Sequence, residues 1–133
     1  MTTRDLNNSN LSIGLIDEKA CPTEAIAYAQ SLGVSQIKAI QPKSPRELDK
    51  AIKEAEKYNL IIMDCKLYLT NSDWPCFSTV DIDGIKMSQA AAAVYKALKE
   101  MGKTVIGVSA ESTEQECSIE MLNLTKKIIE QEN

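Results

Sequence analysis

The fold of this chain is decided by one stretch, Tyr58-Asn59-Leu60-Ile61-Ile62-Met63-Asp64. A short continuous apolar run with polar flanks is typical of a strand that is buried on both faces, as in a parallel sheet. In open α/β sheets, ligands and chemistry collect beyond the carboxyl ends of the strands. The stretch therefore predicts a central strand, and it makes Asp64 the first candidate for a functional site.

Apolar runs and helical stripes alternate on both sides of that strand. Three more runs predict strands, at residues 11–16, 37–40 and 104–108. Apolar stripes with capping or stop residues predict helices, at residues 22–32, 44–55, 88–101 and 112–129. The second helix is expected to begin with a capping box at 44–47, and Met101 is expected to face inward at the end of the third. Strict alternation predicts an α/β fold, a doubly wound three-layer sandwich with right-handed crossovers. The parallel sheet should have four strands in the flavodoxin-like order 2-1-3-4, or five if residues 77–80 form another.

The chain of 133 residues is expected to form one domain over residues 11–133, preceded by a polar, flexible arm at 1–10. Residues 65–83 are predicted to be a long loop insertion that contains the only tryptophan, Trp74, and the only phenylalanine, Phe77. Connections of this length are uncommon inside a compact domain and are often functional. Trp74 is expected either to anchor a partner or to fold back over the end of the sheet.

Composition excludes several classes of function. The net charge is −4 and no Lys/Arg cluster exceeds a doublet, so no nucleic-acid partner is expected. No apolar run reaches membrane-spanning length and the start of the chain is polar, so we expect a cytoplasmic protein without membrane contact. The chain has no histidine, which rules out imidazole bases, His-ligated zinc and phosphohistidine relay.

Polar residues follow three of the predicted strands: Asp17 and Glu18, then Asp64, then Ser109. Because strands one, three and four are neighbours in the predicted order, these groups should converge. Clustered carboxylates suit Mg²⁺, which would relieve their mutual repulsion, and a carboxylate beside the ion can attack phosphorus. A serine hydroxyl at the next strand end would bond a phosphoryl oxygen. The alternative is that these residues are ordinary polar positions in loops and helix caps.

Four motifs resemble response-regulator receiver (CheY-like) domains over roughly residues 11–116. Leu15-Ile16-Asp17-Glu18 is similar to their acidic pair, and Leu60-Ile61-Ile62-Met63-Asp64 to the strand that ends in the phosphorylated aspartate. Val105-Ile106-Gly107-Val108-Ser109-Ala110 resembles their switch strand, and Asp83-Gly84 the Asp-Gly that opens the third helix. The resemblance implies a phosphoprotein of two-component signalling, partnered by a histidine kinase or another signalling protein.

By that resemblance, Asp17, Glu18 and Asp64 would bind Mg²⁺, Asp64 would accept phosphate and Ser109 would sense it. The sequence departs from the family after Asp64, where the connection is longer, and in lacking a fifth strand with its lysine. Lys126 either substitutes for that lysine or the lysine is absent. The domain is therefore expected to be an active switch or an unphosphorylated pseudo-receiver that acts through protein–protein contacts.

A second resemblance leads to an enzyme. Thr79-Val80-Asp81-Ile82-Asp83-Gly84 is similar to the nucleophile motif of haloacid-dehalogenase-like phosphatases. In that alternative, Asp81 would attack phosphate and Asp83 would act as the acid, although the family's later Lys and acidic motifs are missing.

The predicted sheet also has an exposed edge. The strand at 104–108 would be an edge strand, and unpaired apolar edges invite pairing with another chain. A homodimer through this strand, or through the Trp74 loop, is therefore a possible assembly, unless the arm or residues 77–80 cover the edge.

Overall fold

The computed structural model describes residues 11–17, 23–65, 79–108 and 114–132. The strands are β1 (Ser12–Ile16), β2 (Gln36–Ile40), β3 (Leu60–Asp64), β4 (Thr79–Ile82), β5 (Ile85–Ser88) and β6 (Thr104–Val108). The helices are α1 (Thr23–Ser31), α2 (Leu48–Ala55), α3 (Gln89–Glu100) and α4 (Glu114–Glu132). No helix in these ranges is both long and apolar enough to span a membrane.

Four of the strands form one parallel sheet in the order β2-β1-β3-β6. This confirms the predicted order, with β6 as its fourth strand. Every residue of β1 and β3 is buried, because these central strands are covered on both faces. The edge strands β2 and β6 are partly exposed, and β2 accordingly carries the polar residues Gln36 and Lys38.

Helices cover both faces of the sheet, which confirms the three-layer architecture. On one face α1 and α4 pack against the sheet, in a cluster that includes Leu15, Ile62, Ala25, Ala29, Met121 and Ile129. On the other face α2 and α3 do the same, in a cluster that includes Ile61, Met63, Ala51, Ala55, Val94 and Leu98. Each central strand thus sends alternate side chains into two separate clusters.

Two local expectations about the helices differ from the structure. The capping box at 44–47 forms a 3-10 turn, in which Glu47 accepts a hydrogen bond from the Lys43 amide (3.2 Å), and α2 begins only at Leu48. Met101, predicted to face inward, is 44% exposed. It caps α3 just before the chain turns at Gly102, where Lys103 N–H donates to Leu98 O. The helical period cannot be extended past that turn.

A β-hairpin occupies the end of the predicted 65–83 insertion. Strands β4 and β5 pair antiparallel through the two-residue turn Asp83-Gly84, whose φ angles are 53° and 81°. Both positive values fit a type I′ turn, which matches the twist of a hairpin and favours Asp-Gly. The receiver resemblance implied that Asp83-Gly84 opens a helix, but this dipeptide is a hairpin turn. In the described residues β4 pairs with β5 alone and adds no fifth strand to the main sheet.

The hairpin turn is tied to α3 by Tyr95. The Tyr95 hydroxyl donates a hydrogen bond to Asp83 Oδ2 (3.1 Å), and the Tyr95 side chain is buried. Burial raises the pKa of Tyr95 above its ordinary value of 10.0, and the bond to Asp83 raises it further. The neutral phenol is thus the form that stabilises this contact.

The stabilising effect of Tyr95 should be fully present below pH 10.0 and should be lost at higher pH, since the unfolded chain then ionises first. We expect Tyr95→Phe to cost about 1 kcal/mol near pH 8, through loss of the hydrogen bond. Urea unfolding of the wild type and the variant at pH 8 and 10.5 measures this cost. The difference between their free energies of unfolding should be smaller at pH 10.5. A gap that widens would contradict the assignment.

Candidate functional site

Two buried carboxylates lie at the carboxyl ends of the central strands. Asp64 ends β3 and is 6% exposed, while Asp17 directly follows β1 and is 1% exposed. The parallel register pairs Ile16 with Met63, so the next residues along, Asp17 and Asp64, lie across from each other. Neighbouring strands are about 4.8 Å apart. The structure therefore brings these two predicted site residues together.

Both carboxylates also point to the same face of the sheet. Side chains alternate along a strand, and Leu15 and Ile62, two residues earlier, both belong to the cluster beneath α1 and α4. Val108, across from Asp64 on β6, belongs to that cluster as well. The pair thus sits at the top of the α1/α4 layer, with an apolar wall on its β6 side.

Backbone hydrogen bonds fix the chain on either side of the pair. Asp17 N–H donates to Ile40 O of β2 (3.1 Å), which extends the parallel pairing one residue past β1. Cys65 N–H donates to Val108 O (3.0 Å), and Cys65 O accepts from Ser88 N–H (2.9 Å). Through Cys65, the end of β3 is joined to both β6 and β5.

Ser88 connects this position to a helix. Its Oγ accepts a hydrogen bond from Ala91 N–H (3.2 Å) and so caps the N-terminus of α3. Serine is a favoured residue for this role, because it satisfies an amide that has no partner within the helix. The start of α3 is therefore held beside the residue that follows Asp64.

Gly107 is a positioning residue that the sequence reasoning missed. It lies in β6, and a Cβ added there would overlap Cys65 Sγ. Glycine within a strand often marks a close approach by another group, so Val105-Ile106-Gly107-Val108 held a readable signal. Only glycine leaves room for the Cys65 side chain at its present position beside Asp64.

The donor chemistry of the pair fits Mg²⁺. This ion prefers oxygen ligands, keeps several waters and is commonly held by one or two carboxylates. Asp17 and Asp64 would supply those two. Glu18, the third predicted ligand, lies outside the described residues, and within them no group of three or more potential metal ligands occurs.

Ser109 lies outside the described residues, as do Trp74 and Phe77. Lys126 is described and lies in α4, where its ammonium is 5.5 Å from the centroid of the Tyr28 ring on α1. The helix begins beyond the carboxyl end of β6, and its axis advances about 18 Å from Glu114 to Lys126. Lys126 therefore lies well away from the strand ends that carry Asp17 and Asp64.

Asp81, the nucleophile of the phosphatase alternative, is exposed in β4 and pairs across the hairpin with Lys86. A nucleophile of that type is expected at the carboxyl end of a strand in the main sheet. Since β4 belongs to the separate hairpin, the geometry does not favour this alternative.

Comparisons with known proteins give few matches to this chain. A scan against protein-family models gives no match, and a search of curated proteins gives none. One similar solved structure is the receiver domain of the histidine kinase CKI1 from Arabidopsis thaliana, complexed with Mg²⁺ and BeF₃⁻. The two sequences are 15% identical, the match covers 95% of each chain, and the TM-score is 0.43. A likeness at this level carries no information on activity.

Proposed function

We propose that this chain is a receiver-like signalling domain that accepts a phosphoryl group on Asp64. The observation that carries the proposal is the pair of buried carboxylates, Asp17 and Asp64, on one face at the ends of two adjacent central strands. In the proposal Asp17, Glu18 and Asp64 hold Mg²⁺, and Ser109 bonds the phosphoryl group.

In phosphoryl transfer to Asp64, the main task of the chain is to position the reacting groups. A carboxylate oxygen of Asp64 attacks the phosphorus of a phosphodonor. The bond from phosphorus to the donor's leaving atom breaks, an oxygen in acetyl phosphate or a nitrogen in a phosphohistidine, and the leaving group keeps that bond's electron pair. Mg²⁺, when bound, neutralises charge on the phosphoryl oxygens. The hydrogen bonds at Cys65 and Asp17 hold both strand ends in place while this occurs.

The position of Lys126 supports a second form of the proposal. Its ammonium lies over Tyr28 and is remote from Asp64, so it is poorly placed to pair with a phosphoryl group there. A pseudo-receiver would keep the fold and act only through its partners, which we propose are a histidine kinase or another signalling protein. Strand β6 has no charged residue and lies at a sheet edge, which supports a homodimer as a further mode of contact.

Phosphorylation can be tested by incubating the protein with acetyl phosphate and Mg²⁺ and measuring its intact mass. We expect one phosphoryl adduct on the wild type, complete loss of it in Asp64→Asn, and an unchanged adduct in Asp81→Asn. The second variant is the matched control, because it removes an exposed carboxylate of the hairpin.

The other outcomes are equally informative. A folded wild type without an adduct would reject phosphoryl acceptance and leave the pseudo-receiver form. Loss of the adduct in Asp81→Asn alone would reject Asp64 as the acceptor and return the phosphatase alternative. Circular dichroism of each variant separates loss of the adduct from loss of the fold.

A further inference from the structure

The outer edge of β2 and the neighbouring helix α2 form a groove, here called the β2–α2 groove. Among the described residues, β2 pairs with β1 alone. Peptide groups alternate in direction along a parallel strand, and Ile40 O faces β1, where it accepts from Asp17 N–H. The peptide groups of Ile37 and Ala39 therefore face away from the sheet. An edge of this kind is a template for an added strand.

Two cavities lie along this edge. One, of about 210 Å³, lies between the end of β2 and the α2 residues Lys50, Ala51 and Glu54. The other, of about 500 Å³, lies at the start of β2 beside Lys57 and Tyr58. Lys38 lines both, so the two cavities follow one another along the strand. Space for side chains beside an exposed edge is the arrangement that strand-adding peptide sites use.

The groove lies in a part of the chain that is more basic than the average. Residues 36–58, which span β2 and α2, carry six Lys or Arg and four Asp or Glu, a net charge of +2. Since the whole chain carries −4, the remaining residues carry −6. A positive surface attracts acidic partners and steers their approach.

The groove already contains one carboxylate of the chain itself, that of Glu54. Glu54 accepts hydrogen bonds from Lys38 of β2 (3.1 Å) and from Lys57 (3.3 Å), and these bonds lower the pKa of Glu54. The same contact raises the pKa of the Lys38 ammonium. Lys50, on the rim of the smaller cavity, is exposed. Lysines that flank the edge strand β2 therefore already bind a carboxylate, and they could bind those of a partner in the same way.

We propose that the β2–α2 groove binds an extended acidic segment of a partner protein as an added strand. Its backbone bonds the outward peptide groups of Ile37 and Ala39, and its carboxylates lie near Lys50 and Lys57. The segments at 1–10 and 66–78 each carry one positive and one negative side chain, so neither supplies an acidic strand. We therefore assign the groove to a segment of a partner protein, whose binding does not depend on phosphorylation of Asp64.

The test uses the full chain and a fluorescein-labelled peptide of alternating glutamate and valine, with a lysine–valine peptide as the matched probe. We expect the glutamate peptide to bind saturably and the lysine peptide not to bind, as measured by fluorescence anisotropy. Amide shifts in ¹⁵N spectra should centre on Ile37 and Ala39. Lys50→Glu should weaken binding about fivefold. Lys96→Glu, the same change at an exposed position of α3, should leave it unchanged.

Several results would overturn the proposal. Equal affinity for the two peptides would show that charge plays no part, and amide shifts centred on β6 would place the added strand at the other edge. Absence of saturable binding, or self-association of the chain that Lys50→Glu abolishes, would reject a foreign acidic strand as the occupant. None of these results bears on the acetyl phosphate experiment, so the two proposals fail separately.

Discussion

Replacing Gly107 by alanine is expected to lower the free energy of unfolding by about 2 kcal/mol. The added Cβ would overlap Cys65 Sγ, and neither group is free to move. Cys65 is 1% exposed and its backbone is bonded to both Val108 and Ser88, while Gly107 is paired with Met63 inside the sheet. Urea unfolding followed by circular dichroism measures the loss.

A double-mutant cycle shows whether the overlap is the cause. Cys65→Ala alone should cost about 1 kcal/mol, since it removes one buried atom. In that background Gly107→Ala should cost about 1.5 kcal/mol less than in the wild type, because the sulfur has gone. Gly14→Ala is the matched control: its Cβ would meet the end of the Ile61 side chain at 3.1 Å, a methyl that can shift. Equal costs in both backgrounds would show that the Cys65 contact is irrelevant.

Leu98→Ala is expected to be the most destabilising of the substitutions discussed, at about 3 kcal/mol. Leu98 is fully buried in α3, within the cluster that joins α2 and α3 to the sheet. Truncation removes apolar contact and leaves a cavity that a close-packed core fills only in part. The midpoint of urea unfolding should fall without a change in its slope.

Met101→Ala is the matched control for Leu98→Ala, because Met101 lies one helical turn further on and carries a similar apolar side chain. With 44% of that residue exposed, its truncation should change stability by less than about 0.5 kcal/mol. A cost like that of Leu98→Ala would mean that Met101 packs in the core, as the helical period of the sequence predicts.

The sheet and the paired carboxylates were readable because both depend on local pattern and simple topology. The apolar run before Asp64 predicts a strand buried on two faces, and alternation with helices predicts the order that brings Asp17 beside it. Both are found. What the pattern does not contain is the support around the pair, where Cys65, Ser88 and Gly107 meet through contacts between distant parts of the chain.

The hairpin was missed although its signal is strong. Asp83-Gly84 stands between Val80-x-Ile82 and Ile85-x-Met87, an alternation that marks two short strands around a type I′ turn. The same dipeptide also resembles the Asp-Gly that opens a helix in receiver domains, and the two patterns predict different structures for residues 83–88. The position of Lys126 could not be predicted from the sequence for a different reason. Sequence order places it after β6, but distance along a helix axis carries it away from the strand ends.

The order of the main sheet also has a kinetic consequence. Each of its pairings joins distant segments: Ser12 meets Gln36, Ile13 meets Leu60, and Leu60 meets Thr104. Chain closure on this scale slows folding, whereas β4 and β5 are joined by a two-residue turn and can pair early. The pairing of β1 with β3 places Asp17 beside Asp64. We therefore expect the two carboxylates to come together in one of the slow long-range steps, after the hairpin has formed.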